Sequence, residues 1–387
     1  MKIVYITESL VLMGGSEKIL TEKANTLAEQ FNYDITIITC TQPNEQPNAF
    51  PLSKLVKQIN LNIPYYRQYH YSYPKRLWVK HMINTEFQEN LTKEILGLSP
   101  DIIICLAGFK ADLISSVKCK AKKIIECHEA RYFVMSDFDK RKSVLSRIYS
   151  NVYQRWHYFR TIEKEADIVV SLTEGDKLLW KKAKRVEVIP NFSTMHVSHY
   201  CDLNKKRIIA VGRLSPEKGY ERLINVWEIV SPKHPDWSLD IFGDGRLRDE
   251  LNNLIAEKRL KNISINHATP DISQEYANSS ICAMTSHLEG FGLVLLEALM
   301  HGLPCIAFDC PFGPGAIIED NKCGFLVKDR DISQYAERLG QLMSDISLRK
   351  NFSLYAIEHA KKYSVDTVMH QWIKLFEGVS PKQSFMK

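Results

Sequence analysis

Short runs rich in Ile and Val alternate with longer helical segments from one end of this 387-residue chain to the other, which leaves few architectures open. In the first half the runs are Lys2–Thr7, Asp34–Cys40, Asp101–Leu106, Lys123–Cys127, Asp167–Leu172 and Val186–Pro190. They are nearly continuous in apolar residues, as strands buried on both faces must be. Between them lie helical segments at Ser16–Gln30, Glu86–Leu98 and Lys142–Glu165. Strand–helix alternation of this kind predicts a parallel sheet covered on both faces by helices.

The pattern then repeats. Strands are expected at Arg207–Val211, Ser238–Phe242, Ile263–Asn266, Ile281–Thr285, Pro304–Phe308 and Gly324–Val327. Helices are expected at Tyr220–Ser231, Leu247–Lys258, Gly292–Met300 and Ser333–Met343. At about 100–200 residues per domain, the length calls for two or three domains. The polar stretch Asn191–Lys206 is the best linker, so the division predicted is 1–195, 196–364 and a terminal helix and tail at 365–387. Within the last segment Val365, Val368, Met369, Trp372, Ile373 and Phe376 recur at helical spacing. That helix packs either back across the domain junction or onto its own domain. Two doubly wound α/β domains of similar size would face each other across a cleft, with ligands at the carboxyl ends of the strands.

Three loops fit that rule. Gly14-Gly15-Ser16-Glu17 follows the first strand and opens a helix, where a backbone can approach an anion. The sequence is not GxGxxG, and Ser16 could equally be a helix cap. Gly212-Arg213-Leu214-Ser215-Pro216-Glu217-Lys218-Gly219 sets two cations at a strand end, a pair suited to a diphosphate but also to an ordinary solvated loop. Ser286 to Ala298 is the most informative. Gly290 and Gly292 leave amides open at a helix start, while Glu289 and Glu297 are carboxylates suited to the vicinal hydroxyls of a sugar or ribose.

Together, the Arg213/Lys218 segment, Glu289-x7-Glu297 and the following Gly302-Leu303-Pro304 resemble the retaining GT-B glycosyltransferases of the large group 4 family, which carry a glycosyl transferases group 1 domain. The resemblance covers essentially the whole chain and is stronger in the second half. It implies a GT-B fold, two Rossmann-like domains facing a cleft. It also implies that Arg213 and Lys218 hold the donor diphosphate, and that Glu289 contacts hydroxyls of the transferred sugar. Gly290, Phe291 and Gly292 would offer backbone contacts, and Glu297 would bind the ribose hydroxyls. Gly14 and Gly15 would lie beside the diphosphate and acceptor, and His128, in Glu126-Cys127-His128-Glu129, near the donor sugar. The segment Asp309-Cys310-Pro311-Phe312-Gly313-Pro314 resembles a subgroup acting in bacterial capsule, O-antigen and lipid-linked oligosaccharide assembly. Relatives there commonly carry a Glu before the paired isoleucines, whereas this chain reads Gly315-Ala316-Ile317-Ile318-Glu319. The expected activity is a retaining hexosyl transfer from a nucleotide-sugar, UDP being the common donor among relatives. No cofactor and no metal are expected, because no DxD follows a strand in a donor-like context and the Arg/Lys pair can substitute.

The remaining expectations concern surroundings. Residues 1–195 hold 28 Lys+Arg against 21 Asp+Glu, and the rest hold 23 against 24, so the basic excess belongs to the first half. The stretch Lys140–Arg160 interleaves cations with aromatics, as an anionic membrane surface would require, although a helix packed on the sheet would look the same. Nothing resembles a nucleic-acid module. Nine cysteines without a CxxC pair argue against a disulfide framework and a zinc site. The start MKIVYITESLV is too polar for a signal peptide, and no apolar run reaches about 18 residues. The expected location is therefore the cytoplasm; the family resemblance further implies the inner face of the plasma membrane and a lipid-linked glycan acceptor. A nicotinamide-dependent oxidoreductase lacks the GxGxxG it would need. A non-catalytic nucleotide-sugar-binding protein and a same-fold epimerase remain open alternatives.

Overall fold

A computed structural model describes residues 1–12, 14–72, 74–108, 110–128, 131 and 155–379. The first sheet contains β1 (Lys2–Thr7), β2 (Asp34–Thr39), β3 (Lys57–Asn60), β4 (Ile102–Leu106), β5 (Lys122–Glu126), β6 (Ile168–Ser171) and β7 (Val186–Val188). The second contains β8 (Arg207–Val211), β9 (Ser238–Phe242), β10 (Ile263–Asn266), β11 (Ile281–Met284), β12 (Cys305–Asp309) and β13 (Gly324–Lys328). Their orders are β3-β2-β1-β4-β5-β6-β7 and β10-β9-β8-β11-β12-β13. The pairings within each sheet are parallel, for example Lys2 with Asp34 and Arg207 with Ser238. Such pairings need crossovers, and the intervening helices supply them.

Strand order reverses between β1 and β4 in the first sheet and between β8 and β11 in the second. At such a switch point the loops at the strand ends splay apart and leave a crevice. The glycine loop leaves β1. The Arg213/Lys218 loop leaves β8, and the Glu289 loop leaves β11. Both switch points therefore carry the segments with the most chemistry.

The two cores follow from the Ile/Val runs. Ile3, Tyr5, Ile35, Ile37, Ile102 and Ile104 are fully buried on one face of the first sheet. The helix Val365–Val379 lies on that same face, through Val368, Met369, Trp372, Leu375 and Phe376. This helix thus packs on the domain of β1 rather than on the second sheet. Phe376 meets Tyr33, with ring centroids 6.3 Å apart, and His370 meets Phe31 at 6.2 Å.

Several elements were not predicted, among them a third strand of the first sheet and a long helix of the second domain. β3 reads Lys-Gln-Ile-Asn and is an edge strand, so its outer side is wet and its apolar signal is lost. The helix Ile346–Ala360 buries Arg349, Ser353 and His359 as well as Phe352 and Ala356, which breaks the apolar periodicity. Arg349 is satisfied there by the carbonyls of Leu342, Met343 and Leu203. One predicted helix was too short: the segment expected at Glu86–Leu98 begins at Lys75. Of the expected Lys142–Glu165, the described part forms the helix Arg155–Glu165; residues 142–154 lie outside the described residues. All nine cysteines are free.

Candidate functional site

A cleft of about 610 Å³ is lined from both domains, by Leu12, Gly14 to Glu17 and His128 on one side and by Arg213, Lys218 and Leu288 to Val294 on the other. The loop after β8 is folded tightly to reach it. Gly219 sits at φ 62°, and a Cβ there would lie 2.4 Å from the Thr285 carbonyl oxygen at the end of β11. Only glycine permits that approach. The Thr285 hydroxyl also donates to the Gly219 carbonyl at 2.9 Å. This contact fixes the β8 loop against the β11 loop and brings Lys218 to Glu289.

Lys218 Nζ lies 2.6 Å from Glu289 Oε1, and the Ser286 hydroxyl donates to the same oxygen at 2.6 Å. Both side chains are largely buried, so the pair is stronger than a surface ion pair. Arg213 is different. Its side chain is 74% exposed and its nearest carboxylate is Glu217, 3.6 Å away. The two predicted cations thus share the cleft but answer to separate carboxylates. Gly292 has φ 94° and precedes the helix Leu293–Met300, so the free amides at that helix start face the cleft. Phe291 is buried, its ring 5.7 Å from that of Tyr363, so only its backbone is offered.

Across the cleft, Gly14 precedes the helix Gly15–Glu29. A Cβ on Gly14 would strike the Glu17 carboxylate, which folds back over the helix start. A Cβ on Gly15 would lie 3.2 Å from Leu293 Cδ1 of the opposite domain. The two loops therefore meet at the base of the cleft.

His128 follows β5 and lines the cleft with a side chain only 4% exposed. Its Nε2 is 3.2 Å from Glu126 Oε1, and neither ring nitrogen has a hydrogen-bond partner among the described residues. Behind it Glu126 pairs with Lys23, both essentially inaccessible. Burial pushes the Glu126 carboxyl up, but Lys23 and His128 overturn that and hold it at about 2. Burial lowers Lys23 in turn, and its Nζ lies 4.0 Å from the Trp372 ring centre. This buried pair was not predicted. Its signal was a lysine on the apolar face of a helix and a glutamate ending an apolar strand.

Glu297 does not line the cleft. It lies one turn beyond Leu293, 3.7 Å from Lys18 Nζ of the first domain, and accepts from the Tyr276 hydroxyl at 3.4 Å. Burial raises its carboxyl, with Lys18 opposing. Glu319, in the divergent loop, is also elsewhere. It accepts from Tyr355 at 2.5 Å and lies 3.1 Å from Lys362. Asn191, Glu17 and Glu217 line the cleft without having been predicted, Asn191 because it had been read as linker. Among the described residues there is no cluster of metal-ligating side chains and no helix long and apolar enough to cross a membrane.

Residues 192–359 match the glycosyl transferases group 1 family. An uncharacterised glycosyltransferase of Haemophilus influenzae is 28% identical over 388 residues, covering 96% of this chain and 98% of that protein. The amylovoran biosynthesis glycosyltransferase AmsD of Erwinia amylovora is 36% identical over 220 residues, covering 54% of this chain and 61% of that protein. Among solved structures, Staphylococcus aureus TarM bound to fondaparinux, α-GlcNAc-glycerol and UDP superposes with a TM-score of 0.76 at 17% identity. That match covers 97% of this chain and 99% of TarM, and it shows the shared fold.

Proposed function

We propose that this chain, a GT-B glycosyltransferase by its group 1 domain and its two facing sheets, transfers a hexose-type sugar from a UDP-sugar to a growing, lipid-linked bacterial surface glycan. The observation that carries the reading is the gathering of Lys218, Glu289 and the Gly290–Gly292 backbone opposite Gly14, Gly15 and His128 in one cleft. The AmsD likeness supports a surface polysaccharide, and the UDP held by TarM supports the nucleotide.

Without donor, Lys218 neutralises Glu289. With donor, Lys218 and Arg213 would turn to the diphosphate and stabilise the charge that grows as the sugar leaves. The helix start at Gly292 adds its dipole in the same place. Glu289, released from Lys218 but still held by Ser286, would accept hydroxyls of the transferred sugar. Glu297 is assigned to the ribose hydroxyls, for which it must exchange its contact with Lys18.

A double-displacement route to retention needs a carboxylate free to attack the anomeric carbon. Glu289 is committed instead to the Ser286 hydroxyl and to hydroxyls of the transferred sugar. The acceptor hydroxyl therefore attacks from the face the diphosphate leaves. The new C–O bond forms as the sugar–phosphate C–O bond breaks, and the acceptor proton passes to the leaving phosphate oxygen. His128, beside Glu126, lies within the part of the cleft assigned to the sugar. Charge neutralisation by Arg213 and Lys218 removes the need for a divalent metal. The working location is the cytoplasmic face of the plasma membrane.

The test is calorimetry with UDP- and GDP-sugars, then NMR of the product's anomeric configuration with and without EDTA. Failure to bind any nucleotide-sugar overturns the donor assignment. An inverted product overturns retention, and loss of turnover in EDTA overturns metal independence.

A further inference from the structure

From Gln46 to Thr85 the chain contains no Asp or Glu, while it holds Lys54, Lys57, Arg67, Lys75, Arg76 and Lys80; Glu86 and Glu89 follow and line one groove with Tyr66, Trp78 and Met82. The same segment carries the densest run of exposed apolar side chains in the described residues. Tyr66 is 66% exposed, Tyr69 67%, Tyr71 39%, Leu77 50%, Trp78 62% and Met82 49%. Large apolar side chains exposed together in one segment mark an interaction site.

The patch is held in place by its inner side. Tyr65 is buried edge-on against Phe87, with ring centroids 6.0 Å apart, and Ile83, Phe87, Leu91 and Ile95 form the buried seam of the helix Lys75–Leu98. The outer rings are therefore not required by the core. Cations are interleaved with them: Lys75 Nζ lies 4.6 Å from the Tyr71 ring centre, and the Arg76 guanidinium 4.4 Å from that of Tyr69. Tyrosine, tryptophan, lysine and arginine on one face suit the boundary between acyl chains and anionic headgroups.

Position agrees with that chemistry. The segment follows the carboxyl end of β3, and the Ile63 amide donates to the carbonyl of Cys40, just past the carboxyl end of β2, at 2.8 Å. The glycine loop after β1 and His128 after β5 line the cleft from that same end of the sheet.

We propose that the face carrying Tyr66, Tyr69, Tyr71, Leu77, Trp78 and Met82 docks on a bilayer containing anionic phospholipid and holds the cleft mouth at the membrane surface. The benefit to catalysis rests on the proposed lipid-linked acceptor. The docking itself does not, so vesicle binding and donor turnover can fail separately.

The experiment is co-sedimentation of the full chain with phosphatidylglycerol/phosphatidylcholine vesicles and with phosphatidylcholine alone. Each cation brought to an anionic surface multiplies partitioning roughly fivefold. Arg67, Lys75, Arg76 and Lys80 all changed to Ser should then weaken binding by roughly several hundredfold. Tyr69→Ala with Trp78→Ala, at unchanged charge, should weaken it roughly tenfold or more. Both variants should keep the wild-type melting temperature and UDP-sugar hydrolysis. The aromatic pair decides the matter if the charge variant does not fold. The proposal is overturned if the wild type ignores anionic vesicles or if both variants sediment like the wild type. It is also overturned if only substitution of Lys140, Arg141 and Lys142 lowers binding. A loss of binding to a soluble anionic polysaccharide with vesicle binding intact would assign the face to a glycan instead.

Discussion

Replacing Lys23 with Met tests the buried pair behind His128. The side chain of Lys23 is 0% exposed and that of Glu126 is 2%. Methionine keeps most of the volume, so the cavity contribution is small. What remains is a carboxylate in the protein interior without its cation, which costs about 3–5 kcal/mol. Loss of the cation beside the Trp372 ring adds about 0.5–2 kcal/mol. For a domain of this size each kcal/mol moves the midpoint by about 2–4 °C, so a fall of at least ~6 °C is expected.

The pH dependence has a definite sign. In the wild type the Glu126 carboxyl sits at about 2, below its ordinary value. Its contribution is therefore present above the unfolded carboxylate range and is lost as pH falls toward about 2. In the variant, burial acts with only His128 opposing it, so the carboxyl moves up. The deficit against the wild type should then shrink between pH 7 and pH 5. Urea melts followed by tryptophan fluorescence at both pH values measure this, and Lys23→Met combined with Glu126→Gln should recover most of the loss. A deficit below about 1 kcal/mol, a deficit equal at both pH values, or no rescue by the second change would refute the reasoning.

Three other outcomes are expected. Glu297→Ala should weaken UDP binding in calorimetry without unfolding the domain; normal binding would confine Glu297 to its contact with Lys18. Gly15→Val adds a Cβ 3.2 Å from Leu293 Cδ1, and its branches should prop the two loops apart, lowering kcat for donor hydrolysis while circular dichroism stays unchanged. Trp372→Ala removes a side chain 2% exposed and should cost about 3–5 kcal/mol in denaturant melts, with amide exchange accelerating in β1 and β2 of the first domain although the substitution lies near the chain's end.

The parallel sheets were legible because their strands are buried on both faces, and Ile3 to Ile6 or Ile208 to Ala210 cannot be mistaken for surface. Legibility fell where polar groups are buried or apolar groups are not. Arg349 on a core face hid one helix, and the exposed Leu77, Trp78 and Met82 hid the first turns of another. The site shows the same division. Glycines and charges at strand ends identified Gly14, Arg213, Lys218 and Glu289 as neighbours, since the fold class dictates where strand ends converge. Distances were not readable. Nothing in the spacing indicates that Lys218 rests on Glu289, that Glu297 faces Lys18, or that Lys23 and Glu126 meet 103 positions apart under the cleft.

The central claim is that the cleft binds a nucleotide-sugar through Lys218. Calorimetric titration of UDP into the wild type and Lys218→Ala addresses it directly. Loss of one charge-assisted contact to a buried diphosphate, about 1.5–3 kcal/mol, predicts roughly 10- to 150-fold weaker binding by a variant that remains folded. Equal affinity in the two proteins would contradict the account.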